Sequence, residues 1–254
     1  MTVHTGEEIT QVFRESWNMY QKVVYLNHLN HQQIVEAFAQ ELEAFNATDK
    51  NAKGLRVLDI GVGDGWLPSQ LLTLANRNIP QIDQFTGVDS TGEALAIAKS
   101  NAALAIPTKN QFWHQADMRE YMQHCKLNTF DIIYSSYTIH HLDNSEENGK
   151  PALLRDIYRC LSANSLFLWA DVYNNIPSRT RNETMQLWYE ERFSQYQGLT
   201  DEEKQHVWDH VREFDMPEEL EIMKTMMLRV GFVDVKVCFD DGFYSVVLKG
   251  TKKE

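Results

Sequence analysis

The stretch "VLDIGVGDGW" (residues 57–66) decides the fold. An apolar run ends in Asp59, and glycines follow at positions 61, 63 and 65. Glycine-rich loops commonly cradle phosphate on backbone N–H groups and a helix N-terminus. A carboxylate at the strand tip works against that, because it repels an anion. The dinucleotide fingerprint G-x-G-x-x-G is not met either: counted from Gly61, its third glycine would fall on Trp66. The spacing is G-x-G-x-G, and Asp59 suits a ligand with positive charge, such as an amino group or a sulfonium.

Working outward, "LRVLDI" reads as a short strand and "WLPSQLLTLAN" as a helix with Pro68 in its first turn. A second strand, "QFTGVD", closes at Asp89, with Asp83 in an irregular, solvated stretch before it. Thr91 is placed to cap "GEALAIAKSNAALA", which Pro107 terminates. "NQFWHQ", "FDIIYS" and "SLFLWAD" are three further strands, separated by the helical segments "ADMREYMQHC" and "PALLRDIYRCLS". This alternation implies a parallel, doubly wound sheet. From Asn174 to about Asp215 the alternation gives way to a polar, aromatic, helical insert. Regular folding resumes with "PEELEIMKTMMLRV", where Gly231 fits the C′ position. The chain ends in two strands around Asp241-Gly242, a hairpin signal. Before Leu55, Ile34, Phe38, Leu42 and Phe45 recur at helical spacing.

The expected fold is therefore α/β: a doubly wound, seven-stranded, Rossmann-like sheet, mostly parallel with an antiparallel terminal hairpin. N-terminal helices and a helical insert are added to it. Residues 1–50 are expected to form a helical lid. Residues 51–254 form the main domain, with the insert at about 174–215.

The chain has 254 residues, a formal charge of −12, 43% hydrophobic residues and 24% charged ones. That charge argues against a large nucleic-acid surface, which needs clustered Lys and Arg. Cys125, Cys160 and Cys238 lie far apart with no CxxC spacing, as expected of reduced thiols in the cytoplasm. No apolar run is long enough to span a membrane, and the first residues lack the features of a signal peptide. A small-molecule substrate is expected, with no nucleic acid and no membrane as partner.

Together these segments resemble the class I S-adenosylmethionine-dependent methyltransferases over roughly residues 55–250. "VLDIGVGDG" is similar to that family's first motif, D/E-x-G-x-G-x-G. The resemblance implies S-adenosylmethionine as cofactor, with Asp59, Gly61, Gly63 and Gly65 beside it. It implies Asp89 as the carboxylate that holds the ribose hydroxyls. "QADMRE" resembles the adenine-binding segment, with Asp117 accepting from the adenine amino group and the Met118 backbone near the ring. "FDIIYSSYTIHHLD" resembles the fourth motif, whose loop faces the methyl group and adds Ser135 to the cofactor set. "LLRDIYRCLSANSLFLWADV" also matches the family pattern, except that Ala163-Asn164 stands where Pro-Gly or Gly-Gly is usual. Asn tolerates the left-handed turn. The same loop would also suit a related sulfonium-dependent transfer, a cofactor modification, or a partner protein that binds the cofactor without catalysis.

His140 and His141 follow the fourth strand, at the carboxyl edge where ligands bind in such sheets. They are the candidate catalytic residues, as histidine suits a general base near neutral pH. Tyr20, Tyr25, His28 and His31 in the N-terminal segment, and Asp171 and Tyr173 after the fifth strand, are the candidate substrate-binding residues. Trp188, Tyr189, Phe193 and Tyr196 of the insert offer an apolar wall. His206 and His210 have i, i+4 metal-ligand spacing, but the Glu of H-E-x-x-H is missing. No metal is expected.

Overall fold

The computed structural model describes residues 19–46, 54–74, 77–102 and 110–253. The expected helix stop at Pro107 and the first part of the expected lid lie outside them. Residues 19–25 form helix α1. Then come α2 (His31–Asn46), β1 (Leu55–Ile60), α3 (Trp66–Thr73), β2 (Ile82–Asp89), α4 (Gly92–Ala102) and β3 (Gln111–Gln115). The chain continues through α5 (Met118–His124), β4 (Phe130–Ser136), a 3-10 turn (Ile139–His141), α6 (Lys150–Cys160) and β5 (Leu161–Asn174). The insert holds α7 (Arg181–Glu191) and α8 (Asp201–Phe214), and the chain closes with β6 (Glu218–Glu219), α9 (Leu220–Val230), β7 (Val233–Asp240) and β8 (Ser245–Lys252).

The main sheet runs in the order β3-β2-β1-β4-β5-β8-β7, and the two-residue β6 pairs with the end of β5. β1 through β5 pair in parallel, and β8 lies antiparallel between β5 and β7. Asp83 is exposed as expected but belongs to β2, since pairing with β1 begins at Leu55 opposite Ile82. Asn164 takes φ 55°, the left-handed conformation expected of it, and Gly231 ends α9 at φ 111°.

Strand alternation divides the core in two. In β5, Leu166, Leu168, Ala170 and Val172 point to one face, and Phe167, Trp169 and Tyr173 to the other. The first face packs against α2, α3, α4 and the insert, the second against α5, α6 and α9. Among the described residues no helix is long and apolar enough to cross a membrane.

One expectation needs correction. The N-terminal segment is not a lid throughout, because α2 is part of the core. Ile34, Phe38 and Leu42 are buried on the first face, with Phe38 fully inaccessible. Only the segment ahead of α2 is left to act as cover. Phe38→Ala should therefore lower unfolding free energy by ~3–5 kcal/mol, as for a core aromatic. Urea denaturation would measure it, and a loss near zero would return α2 to the lid.

Candidate functional site

The carboxyl ends of the parallel strands meet at one edge, and the glycine loop leaves β1 there. Gly61, Gly63 and Gly65 all take positive φ (73°, 55° and 72°). At Gly61 there is no room for a side chain either: a Cβ would stand 2.1 Å from Thr138 Oγ1. At Gly65 it would stand 3.0 Å from the Ala98 backbone of α4. The loop is thus clamped between the turn after β4 and the helix after β2.

Three carboxylates surround this loop. Asp59 is 2% exposed, and its Oδ2 meets no donor. Burial pushes its carboxyl well above the usual range, against a hydrogen bond from Tyr134, and the charge of Asp89 adds to the rise. Asp89 accepts from the backbone N–H of Gly63 (2.9 Å) and of Thr91 (2.8 Å). Burial still raises it, and the nearby Asp64 contributes. Asp64 accepts from the Trp66 N–H and from Gln21 Nε2 of α1 (3.2 Å).

The other expected cofactor residues sit nearby in the chain order but are already engaged. Asp117 caps α5 and is gripped by Arg119 through both oxygens, at 3.0 and 2.8 Å. Met118 opens that helix, partly buried on the second face. Ser135 is fully buried, and its Oγ donates to the Ile60 carbonyl at 3.0 Å.

Next to the turn after β4 lies a small, partly open cavity of about 70 Å³. Tyr20 of α1, Tyr137, His140, His141, Asp215 and Tyr244 line it together with apolar side chains. His140 Nδ1 donates to Asp171 Oδ1, and its Nε2 lies 3.4 Å from Asp215 Oδ1. Trp169 Nε1 holds the other Asp171 oxygen at 2.8 Å. Burial opposes charge on His140, but Asp215 and Asp171 outweigh it and push its pKa up to about 10. Burial, with His140 and His210 beside it, holds His141 well below its ordinary value. Burial raises the pKa of Tyr20, and the charges of Asp64, Asp89 and Asp215 add to the rise.

Several expected substrate residues stand elsewhere. Tyr25 is 63% exposed and lines no part of the cavity. Tyr173 packs on the second face and donates its hydroxyl to Asp240 at 2.5 Å. His28 stacks on Tyr196 of the insert (4.1 Å, 13°) and donates from Nε2 to the Gln197 carbonyl at 2.8 Å. His31 is buried beside Trp66 and Tyr137, where burial lowers its pKa to about 3. Asp171 reaches the cavity only through His140. In the insert, Phe193 lines the cavity, while Trp188 is core against Tyr244 and Tyr189 packs on Trp208.

Asp64, Asp215, Tyr137 and Tyr244 escaped the sequence reading. Asp64 stood inside the glycine motif and was readable as a third carboxylate. Asp215 reads as an ordinary loop residue at the end of α8, and only the fold brings it to His140.

A two-carbonyl clamp fixes this meeting. Lys150 is 1% exposed, and its Nζ donates to the carbonyls of Leu142 and Met216, with Glu218 Oε1 at 3.6 Å. The Met216 N–H donates to the His140 carbonyl at 2.9 Å.

A parallel sheet with one antiparallel strand near its edge, and a glycine loop ringed by carboxylates, define the class I S-adenosylmethionine-dependent methyltransferases. The chain belongs to the methyltransferase-domain family, whose model matches residues 29–215. Magnesium protoporphyrin IX methyltransferase from Synechocystis PCC 6803 shares the fold at TM-score 0.64 and 15% identity, over 98% of this chain and all of that one. A possible histamine N-methyltransferase from Thermotoga maritima does so at 0.59 and 16%, over 96% and 100%. Phosphoethanolamine N-methyltransferase 2 from Haemonchus contortus does so at 0.55 and 16%, over 85% and 52%. No curated protein sequence matches the chain.

Lys150→Met should strand one buried and one half-buried carbonyl and cost ~2–4 kcal/mol in all. Amide hydrogen exchange at Met216 should rise with it. An unchanged unfolding midpoint would show that the clamp does not hold the turn.

Proposed function

We propose that this enzyme transfers the methyl group of S-adenosylmethionine to a small molecule held in the cavity beneath α1 and α8. The observation that carries the reading is the ring of Asp59, Asp64 and Asp89 around a glycine loop. Such a ring repels phosphate and favours a ligand with an amino group, a sulfonium and hydroxyls. The orphaned Asp59 Oδ2 fits a ligand of that charge. Asp89 keeps acceptor capacity beyond its two backbone bonds, and ribose hydroxyls would use it. Gly61, Gly63 and Gly65 let the backbone approach the methionine end. Asp117 and Met118 would meet the adenine, and Ser135 would act through its backbone, since its hydroxyl is committed to Ile60.

S-Adenosylmethionine supplies a methyl group on positively charged sulfur, open to in-line displacement. The chain supplies proximity and alignment, worth up to ~7–11 kcal/mol in ideal cases. His140 and His141, on the cavity wall next to the loop, are assigned to contact with the acceptor. Among the described residues lining the cavity none is Lys or Arg, and most of the surface is apolar or aromatic. That favours a compact acceptor with an apolar body over a phosphorylated one. The neighbours' names span a tetrapyrrole, an imidazole amine and a phosphorylated amine, so they do not choose an acceptor.

Asp89→Ala should weaken S-adenosylmethionine and S-adenosylhomocysteine by ~1–3 kcal/mol in calorimetry, through loss of a charged acceptor. Equal affinities would remove Asp89 from the site. Val207→Trp, which fills the cavity from α8, should leave cofactor affinity intact. It should also abolish methylation of any acceptor found by a screen. Full turnover in that variant would place the acceptor elsewhere.

A further inference from the structure

One group of three potential metal ligands stands out among the described residues: His140, His141 and Asp215, with ligand atoms all within 4.8 Å of one another. Asp215 Oδ1 is buried and has no donor at good hydrogen-bond geometry, only the two histidine rings at longer range. It lies 3.4 Å from His140 Nε2 and 3.8 Å from His141 Nδ1. These separations are long for direct bonds. The first matches the edge of a tetrahedron around an ion with bonds of ~2.0–2.2 Å, roughly 3.3–3.6 Å, and the second is a few tenths of an ångström longer, so the side chains would draw in slightly around an ion.

The surroundings are those of a metal ligand set. His140 gives its Nδ1 to Asp171, which leaves Nε2 as the nitrogen aimed at Asp215. Metal-bound histidines almost always hand their other ring nitrogen to a carboxylate or carbonyl in this way. Trp169 and the Val172 N–H in turn fix Asp171, at 2.8 and 3.0 Å. The ring of His210 stands edge-on to His141 at 5.4 Å, and His206 follows one turn away on the cavity wall. The i, i+4 pair that looked like an incomplete motif in the sequence thus flanks a set completed by the turn after β4.

We propose that His140, His141 and Asp215 bind one divalent transition-metal ion of the zinc type. Two imidazoles and one carboxylate favour such an ion over calcium or magnesium, which prefer all-oxygen shells. The remaining coordination position opens into the cavity. There, on the methyl-transfer reading, a hydroxyl or thiol of the acceptor would become the last ligand and release its proton to solvent.

The test uses untagged full-length protein stripped with a chelator and dialysed, with no cofactor or acceptor present. Its failure would therefore leave methyl transfer untouched. Titration with zinc should show one equivalent bound at micromolar affinity or tighter, and cobalt should give the visible absorption of a four-coordinate site. Asp215→Ala and His141→Ala should abolish the stoichiometric binding. Asp171→Asn should weaken it ~10–100-fold, as outer partners do. Replacing the remote His114 or His124 by Gln should change nothing. Absence of one-equivalent binding, or binding that survives both Asp215→Ala and His141→Ala, overturns the proposal. Should those variants fail to fold, X-ray absorption of the zinc-loaded wild type decides. Two imidazoles at ~2.0–2.1 Å support the site, and a shell of oxygen alone overturns it.

Discussion

The space beside Gly61 is taken by Thr138, and much of the site follows from that contact. The glycine loop and the turn after β4 leave neighbouring parallel strands at the same edge, and they touch where no side chain fits. The ring of carboxylates is thereby held at a fixed distance from the His140–His141 turn. In a parallel sheet this adjacency is topological, since strand order β2-β1-β4 puts the two loops side by side. Glycine at 61 then permits the approach, at a φ that other residues rarely adopt.

The insert completes what the sheet begins. It leaves β5 and returns at Asp215–Met216, where backbone and Lys150 bonds stitch it to the His140 turn. Capping boxes at Thr180 and Thr200 start its two helices, so their directions are set locally. The chain can then deliver Asp215, His206 and His210 to one side of the cavity. Asp171, on β5, delivers the opposing carboxylate from the sheet itself.

Most of the fold was legible in the residues. Short apolar runs alternating with helical segments marked the strands, Asp89 and Asp241-Gly242 marked their ends, and the break at Asn174 located the insert. Asp83 falls inside β2 and not ahead of it, at the point where the register with β1 shifts, and its side chain is exposed as expected. The role of α2 was misjudged because an amphipathic helix looks the same whether it covers a site or a sheet. At the loop, residues close in sequence to the motif, Asp59, Gly61 and Asp89, are brought together as the sequence suggested. Asp215 was not readable, because its partner His140 is 75 positions away and a single aspartate carries no periodic signal. Tyr25 and Tyr173 stand away from the cavity. Residue type suggested a pocket, while one faces solvent and the other serves β7.

The bonds that hold α1 in place are of a different kind from those that hold α2. Lys22 pairs with Glu203 at a solvent-exposed position, and such a pair contributes ~0–1 kcal/mol. Gln21 to Asp64 and His28 to Gln197 are single hydrogen bonds, each worth ~0.5–1.5 kcal/mol. Val23 and Leu29 add modest apolar burial. Taken singly these ties are weaker than the core packing of α2, although the Tyr137 hydroxyl also donates to the buried Leu29 carbonyl. The bond from α1 to the glycine loop ends on Asp64, so a shift of that loop would be felt directly at α1.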